Sequence, residues 1–88
     1  MRGFVEGCLE ISATDEGYVA TFTRYDVKNA PLGQVLRLSS RAAVAEFLQE
    51  IGTRTARVIK AVDDLRKRGS ATLPSVFLTE TQHERFRS

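Results

Sequence analysis

The spacing of the apolar residues changes near residue 39, and this change restricts the possible folds more than any other feature of the chain. Before it, apolar residues such as Val5, Leu9 and Ile11 alternate with polar or small ones. A period of two is typical of a strand with one buried face. After residue 39 the apolar residues recur at helical spacing. Strands followed by helices predict an α+β domain with an antiparallel sheet.

Three strands are predicted in the first part of the chain, at about residues 3–12, 18–27 and 34–39. The turn "TDEG" joins the first two, because Asp tolerates turn geometry and Gly accepts a positive φ. The second strand, "YVATFTRYDV", is rich in β-branched and aromatic residues. It has residues that could be buried on both of its faces. The loop "KNAPLG", residues 28–33, precedes the third strand.

Two helices are predicted next, at about residues 40–51 and 54–68. In the first, Val44, Phe47 and Ile51 fall on one apolar stripe. The second is amphipathic, with apolar residues in one sector and charges opposite. Capping residues mark the boundaries: Ser39 or Ser40 before the first helix, Gly52 after it, Thr53 or Thr55 before the second, and Gly69 after that.

A short edge strand at about residues 72–78 and a short helix at about 80–86 complete the predicted fold. Pro74 cannot donate to a ladder, which places this strand at the edge of the sheet. "TETQ" is a capping box that can begin the last helix. Residues 1–88 therefore form one small domain, a three-stranded antiparallel meander packed by two helices and followed by these two elements.

Composition excludes several classes of protein. The chain is 42% hydrophobic and 27% charged, which argues against disorder. Its single cysteine, Cys8, permits neither an intrachain disulfide nor a Cys-rich zinc site. Glu6 and Glu10 interrupt the stretch that a signal peptide would need apolar, and no apolar run is long enough to span a membrane. We therefore expect a cytoplasmic protein.

Catalytic residue arrangements are not evident in the sequence. His83 is the one histidine and lies in a predicted exposed segment. Glu6 and Glu10 share a strand face about 13 Å apart, too far for two carboxylates to act on one bond. The glycines are scattered at turns and helix ends. We predict that the chain is not an enzyme and expect no cofactor, metal or small-molecule substrate.

Protein binding is the leading functional prediction. A core built from 88 residues without a disulfide bond or a structural metal leaves only a few kcal/mol of net stability. Dimerisation would bury more surface. The chain is therefore predicted to be a non-enzymatic interaction or regulatory domain that binds a protein partner, as a homodimer.

DNA binding is the alternative prediction, because positive charge is concentrated late in the chain. Residues 1–53 carry a net charge of −2 and residues 54–88 a net charge of +4. The segment 44–66 has the outline of a helix-turn-helix with Gly52 in the turn. In that arrangement Arg54, Thr55 and Arg57 would contact bases, and Lys60 would contact phosphate.

The same basic residues also fit an ordinary solvated helix face. Lys and Arg at positions 66–68 lie at a helix C-terminus, where the dipole favours cations. Asp63–Lys67 and Asp64–Arg68 have the spacing of stabilising ion pairs. These acids would repel phosphate, so this interpretation favours protein binding over DNA binding.

A second route to DNA uses the sheet. The strands followed by "LSSRAAVAEFLQEIG" resemble the arm-binding modules of tyrosine recombinases over about residues 17–52. In those modules a sheet face enters the groove of DNA. The resemblance implies that Arg24, Lys28 and Arg37 would be the contacts.

Overall fold

The computed structural model describes residues 3–26 and 34–87, which form one antiparallel sheet and three helices. The four strands are ordered β3-β2-β1-β4, so β4 is an edge strand, and the predicted α+β fold is confirmed. The predicted loop at 28–33 lies outside the described residues. The elements in chain order are β1 (Val5–Thr14), β2 (Gly17–Arg24), β3 (Val35–Leu38), α1 (Arg41–Glu50), α2 (Thr55–Arg68), β4 (Ser70–Leu78) and α3 (Glu80–His83).

One face of the sheet packs against α1 and α2 and forms the core. On β1, alternate residues from Val5 to Ile11 are buried, as the period of two predicts. On β2, Ala20 and Phe22 turn to the same side, while Val19 lies on the other. The face of β2 that packs against the helices is therefore the one that carries Ala20 and Phe22. The largest fully buried side chains are Phe47, Leu9, Ile11, Leu48, Leu78 and Val44.

The β1–β2 connection is the two-residue hairpin predicted from "TDEG". Thr14 and Gly17 are the last paired residues, with Asp15 and Glu16 between them. Gly17 has φ of 139°, and a Cβ at this position would lie 2.6 Å from the carbonyl oxygen of Leu38. Glycine is required here both by its backbone conformation and by the close approach of the end of β3.

The ends of α1 follow the prediction, but the start of α2 does not. The Ser40 hydroxyl accepts from the Ala43 amide over 3.1 Å, and Gly52 follows α1 with φ of 84°. The N-cap of α2 is Arg54, whose side chain makes no capping hydrogen bond. The prediction that Thr53 or Thr55 caps α2 is wrong. The Thr53 amide closes the preceding turn by donating to Leu48, and Thr55 is already helical.

The C-terminal elements differ in length from the prediction. β4 has nine residues, because a bulge accommodates Pro74 within the strand. α3 has only four. The predicted capping box is present: the Thr79 hydroxyl accepts from the Gln82 amide, and the Gln82 side chain accepts from the Thr79 amide. Within the described ranges, each helix is too short or too polar to cross a membrane.

The chain after α3 returns to the far edge of the sheet. Phe86 is buried, with its ring centroid 6.0 Å from that of Phe47. Arg87 and Val35 exchange backbone hydrogen bonds of 2.7 and 2.8 Å. The edge of β3 is therefore partly covered by the C-terminal segment, whereas the outer edge of β4 is not paired with any described strand.

Candidate functional site

The sheet face opposite the helices carries mainly exposed and half-exposed side chains. On β1 these are the even-numbered residues, including Glu6, Cys8 and Glu10. Serine, threonine and valine side chains fill most of the neighbouring positions on this face. One end of the face differs, because aromatic residues cluster there.

Three aromatic residues form what we call the aromatic surface: Phe4, Tyr25 and Phe77. They are exposed by 68%, 55% and 50%, respectively. The Tyr25 amide donates to the Glu6 carbonyl, and Glu6 is paired in register with Phe77. Tyr25 and Phe77 therefore flank Glu6 in one row across three strands. Among the described residues, one other large hydrophobic side chain, Ile59 on α2, is comparably exposed.

A bulge in β4 adjoins the aromatic surface. Pro74 and Ser75 together lie opposite Cys8, and Ser75 has a positive φ of 59°. Arg57 of α2 donates to the Pro74 carbonyl over 2.8 Å. The Tyr25 hydroxyl accepts from the Ser75 amide over 3.4 Å. The bulge is thus contacted from the helix layer on one side and from the open sheet face on the other.

An open groove of about 580 Å³ runs beside this bulge at the outer edge of β4. Its lining comes from β4 at 75–77, from the α1–α2 turn at 51–54, from Arg57 of α2 and from Phe4. Arg54 and Arg57 are the charged residues of the described lining, which contains no aspartate or glutamate. The groove therefore combines aromatic and aliphatic walls with positive charge.

The backbone of β4 offers hydrogen-bonding groups at this edge. Because the Glu6 carbonyl accepts from Tyr25, the polar backbone groups of Glu6 face β2. In an antiparallel ladder the groups of its β4 partner, Phe77, then face away from β1. On the other side of the bulge, the Ala13 amide donates to the Gly69 carbonyl, so the backbone groups of Gly69 face β1. Because the direction alternates along the strand, the backbone groups of Thr72 face away from β1. Phe77 presents its amide and carbonyl to the groove.

The residues predicted to contact DNA on α2 do not form a continuous basic ridge. Arg54 and Thr55 are exposed at the start of the helix. Arg57 bonds to β4, and Lys60 pairs with Asp64 over 2.9 Å. Two of the four residues therefore have partners within the chain.

Ion pairs also neutralise the far end of α2. Asp63 binds Arg66 and Lys67 at 2.9 and 3.1 Å, which confirms the predicted Asp63–Lys67 pair. Hydrogen bonds from Lys67 and then Arg66 lower the pKa of Asp63. The predicted Asp64–Arg68 pair is wrong, because Asp64 binds Lys60 one turn earlier. Helical side chains tilt toward the N-terminus, so an earlier partner is within reach.

The residues predicted to contact DNA from the sheet are not brought together on one face. Arg24 is paired with Gly7 on the helix-covered side, whereas Arg37 is paired with Val19 on the open side. Lys28 lies outside the described residues. Arg24 also binds Asp26 through two hydrogen bonds of 2.9 and 2.8 Å. This hydrogen bonding raises the pKa of Arg24 and lowers that of Asp26.

The structure does not bring Cys8 and His83 together, because Cys8 lies on the open sheet face and His83 contacts Phe22 on the helix-covered side. Burial, and then the charge of Glu10, raise the pKa of the Cys8 thiol, which keeps it protonated. The His83 ring contacts the Phe22 ring edge-on, with centroids 5.5 Å apart. In the part of the chain that the structure describes, no three His, Cys, Asp or Glu side chains are grouped to hold a metal ion.

Phe4 and Phe77 are the residues by which the sequence itself indicates the aromatic surface. Phe4 and Phe77 occupy positions where the strand alternation calls for polar residues, next to buried Val5 and Leu78. One exposed aromatic side chain is ordinary, whereas several that adjoin mark an interaction surface. Comparisons of this chain with protein-family models, curated proteins and solved structures found no match.

Proposed function

We propose that this chain is a non-enzymatic interaction domain that binds protein through the aromatic surface. The observation that carries the proposal is the clustering of Phe4, Tyr25 and Phe77, each at least half exposed, at one end of the open sheet face. Groups of exposed apolar residues are typical of interaction sites, and aromatic residues are enriched at the centres of protein interfaces.

The charges of α2 support a protein partner over a nucleic acid. Lys60, Arg66 and Lys67 each pair with an aspartate of the same helix. Acidic side chains interleaved with basic ones repel a phosphate backbone, whose contacts require a concentration of positive charge. The same mixture of charges is ordinary on a surface that remains in water.

Self-association is the simplest form of this function, because a second copy would extend the burial that a small core supplies. Glu6 and Glu10 restrict how two copies could meet. A two-fold axis through the middle of the open face would place these like charges opposite each other. Because Glu6 lies in the same row as Tyr25 and Phe77, a homodimer through the aromatic surface would be offset so that the two copies of Glu6 do not face each other.

Sedimentation velocity over a concentration series tests the proposal. We expect the wild type to dimerise and the Phe77→Ser variant to remain monomeric under the same conditions. Ile59→Ser is the matched control, since Ile59 is also exposed but lies on α2. Equal loss in both variants would contradict a specific role for the aromatic surface. A wild type that is monomeric throughout would contradict the homodimeric form.

DNA binding is a second candidate, favoured by the exposure of Arg54 and Thr55 at the start of α2. Such binding weakens steeply as salt rises, because counterions are released. A mobility-shift titration at low salt with the wild type and the Arg54→Ala/Arg57→Ala variant tests it. Retardation that disappears in the variant supports this candidate, and the absence of retardation at low salt removes it.

A further inference from the structure

We propose that the groove at the outer edge of β4 binds an extended acidic segment of a partner protein. This inference rests on the proposed function and names the chemistry of the partner. The segment lies antiparallel or parallel to β4 beside Phe77, with alternate side chains toward the aromatic surface and toward Arg54 and Arg57.

The outer edge of β4 can pair with the main chain of a bound segment. Phe77 presents an amide and a carbonyl at an edge that no described strand covers. An extended peptide can add to such an edge, gaining affinity from main-chain hydrogen bonds and specificity from its alternate side chains. The Pro74 carbonyl already accepts a hydrogen bond from the Arg57 side chain. Main-chain pairing between β4 and the partner segment therefore ends at the bulge, and the bound segment is short.

The two walls of the groove match the alternation of a strand. Phe4 and Phe77 lie on the open-face side, and the guanidinium groups of Arg54 and Arg57 lie on the helix side. Successive residues of an added strand point to opposite sides. A segment in which apolar and acidic residues alternate would therefore place its apolar side chains on the rings and its carboxylates at the arginines.

The charges of the groove select an acidic partner over a second copy of this chain. The described lining of the groove contains Arg54 and Arg57 but no acidic residue. A carboxylate of the partner would therefore be attracted by the arginines and would not be repelled by a like charge. Glu6 and Glu10 on the adjoining face disfavour the face-to-face approach of an identical copy. The occupant that fits is thus a different chain.

The position of Arg54 gives an independent reason. Arg54 is the N-cap of α2 but makes no side-chain cap, although Ser, Thr, Asp or Asn would satisfy a free amide of the first turn. Local choices that weaken a fold are expected at functional positions. With arginine at this position, α2 lacks a side-chain hydrogen bond to its first turn, and a guanidinium group lies at the groove.

The probe for this inference is a fluorescein-labelled synthetic peptide in which valine alternates with glutamate. Binding to the full chain is followed by fluorescence anisotropy at low salt. Two control peptides isolate the two interactions: one carries lysine in place of glutamate, and the other carries N-methyl groups on alternate amides. We expect the first peptide to bind and both controls to lose most of that binding.

Matched variants locate the site. Arg54→Ala should weaken binding at least about fivefold, while Arg68→Ala at the other end of α2 should not. Phe77→Val retains the outward amide, and Phe77→Pro removes it without removing a bond to β1. Binding should therefore be weaker in Phe77→Pro than in Phe77→Val. If Phe77→Pro does not fold, the N-methylated peptide provides the same comparison on the wild type.

The outcomes separate this inference from the proposed function. No binding of the valine–glutamate peptide, or equal binding of the N-methylated one, would overturn the inference. If Phe77→Ser still abolished dimerisation in that case, the proposed function would stand and a second copy would be the occupant. If neither the peptide nor a second copy responded to substitutions at the aromatic surface, both would fall.

Discussion

The guanidinium group of Arg57 donates a hydrogen bond of 2.8 Å to the carbonyl oxygen of Pro74, joining the first turns of α2 to the bulge of an edge strand. Exposed edge strands promote unwanted pairing, and proline, bulges and charged side chains are the usual means of limiting it. Here all three act at one point of β4. The residues on either side of the bulge are left as the places where a partner strand could pair.

Replacing Arg57 with alanine should lower the free energy of unfolding by about 1 kcal/mol, because the Pro74 carbonyl loses a charged donor at an exposed site. Urea denaturation measures the change. Arg68→Ala is the control, since Arg68 is exposed at the end of α2 and is not bonded to β4; it should change stability by less than about 0.5 kcal/mol. Equal stabilities of the two variants would show that the bond contributes nothing.

Gly7→Ala should destabilise the fold by about 2–3 kcal/mol through overpacking. A Cβ on Gly7 would collide with the Thr23 carbonyl oxygen and come within 2.7 Å of the Phe22 ring. Gly3→Ala is the control, because a Cβ there would have no neighbour within 4 Å. Thermal and urea unfolding of both variants would check the expectation. A stable Gly7→Ala variant would mean that β2 can move away from β1.

Periodicity was sufficient to predict the elements and the covered face of β1. The spacing of apolar residues reflects which side chains are buried, and it changes from a period of two to helical spacing. This change predicts the fold class, the two helices and the buried alternate residues from Val5 to Ile11. The capping box at Thr79 was also predictable, because its partners are three residues apart and need no tertiary information.

The candidate site could not be predicted in the same way, because it is assembled across the sheet. The row of Tyr25, Glu6 and Phe77 depends on strand order and register, which no local pattern specifies. The N-cap of α2 was missed for a related reason. The turn after Gly52 is closed by backbone hydrogen bonds, so the position of the cap depends on the turn's length and not on the nearest threonine.

Thr79→Ala should lower stability by about 1 kcal/mol, since it removes the hydroxyl that accepts from the Gln82 amide. The loss should also loosen the segment that carries Phe86 into the core. Thr55→Ala is the matched control, because Thr55 begins α2 without serving as its cap. Equilibrium unfolding, with hydrogen exchange of the Val35 amide as a local readout, distinguishes the variants.

Asp63 should make stability depend on acid pH. Its pKa is lowered in the folded chain by hydrogen bonds from Lys67 and Arg66. A depressed folded pKa contributes stability that is fully present above the unfolded value, about 3.9, and is lost as pH falls through the folded value. The free energy of unfolding should therefore fall less steeply below about pH 4 in Asp63→Asn than in the wild type.

The control for this measurement is Asp15→Asn in the β1–β2 turn, where the structure shows no ion pair for this side chain. It should leave the acid limb of the stability profile nearly unchanged. Added salt should reduce the difference between the wild type and Asp63→Asn, because this ion pair is solvent-exposed. Superimposable profiles for the wild type and Asp63→Asn at low salt would contradict the assignment.

Arg54→Ser should raise stability while weakening the binding of the valine–glutamate peptide. A serine at the N-cap of α2 can accept from an amide of the first turn, which Arg54 does not do, and should add about 0.5–1 kcal/mol. The same substitution removes a guanidinium from the groove. Arg54→Ala separates the two effects, because it removes the charge without supplying a cap. Peptide affinity should fall equally in both variants, whereas only Arg54→Ser should gain stability. Retained affinity in both would mean that the arginine serves another purpose, and equal stabilities would mean that the first turn of α2 needs no cap.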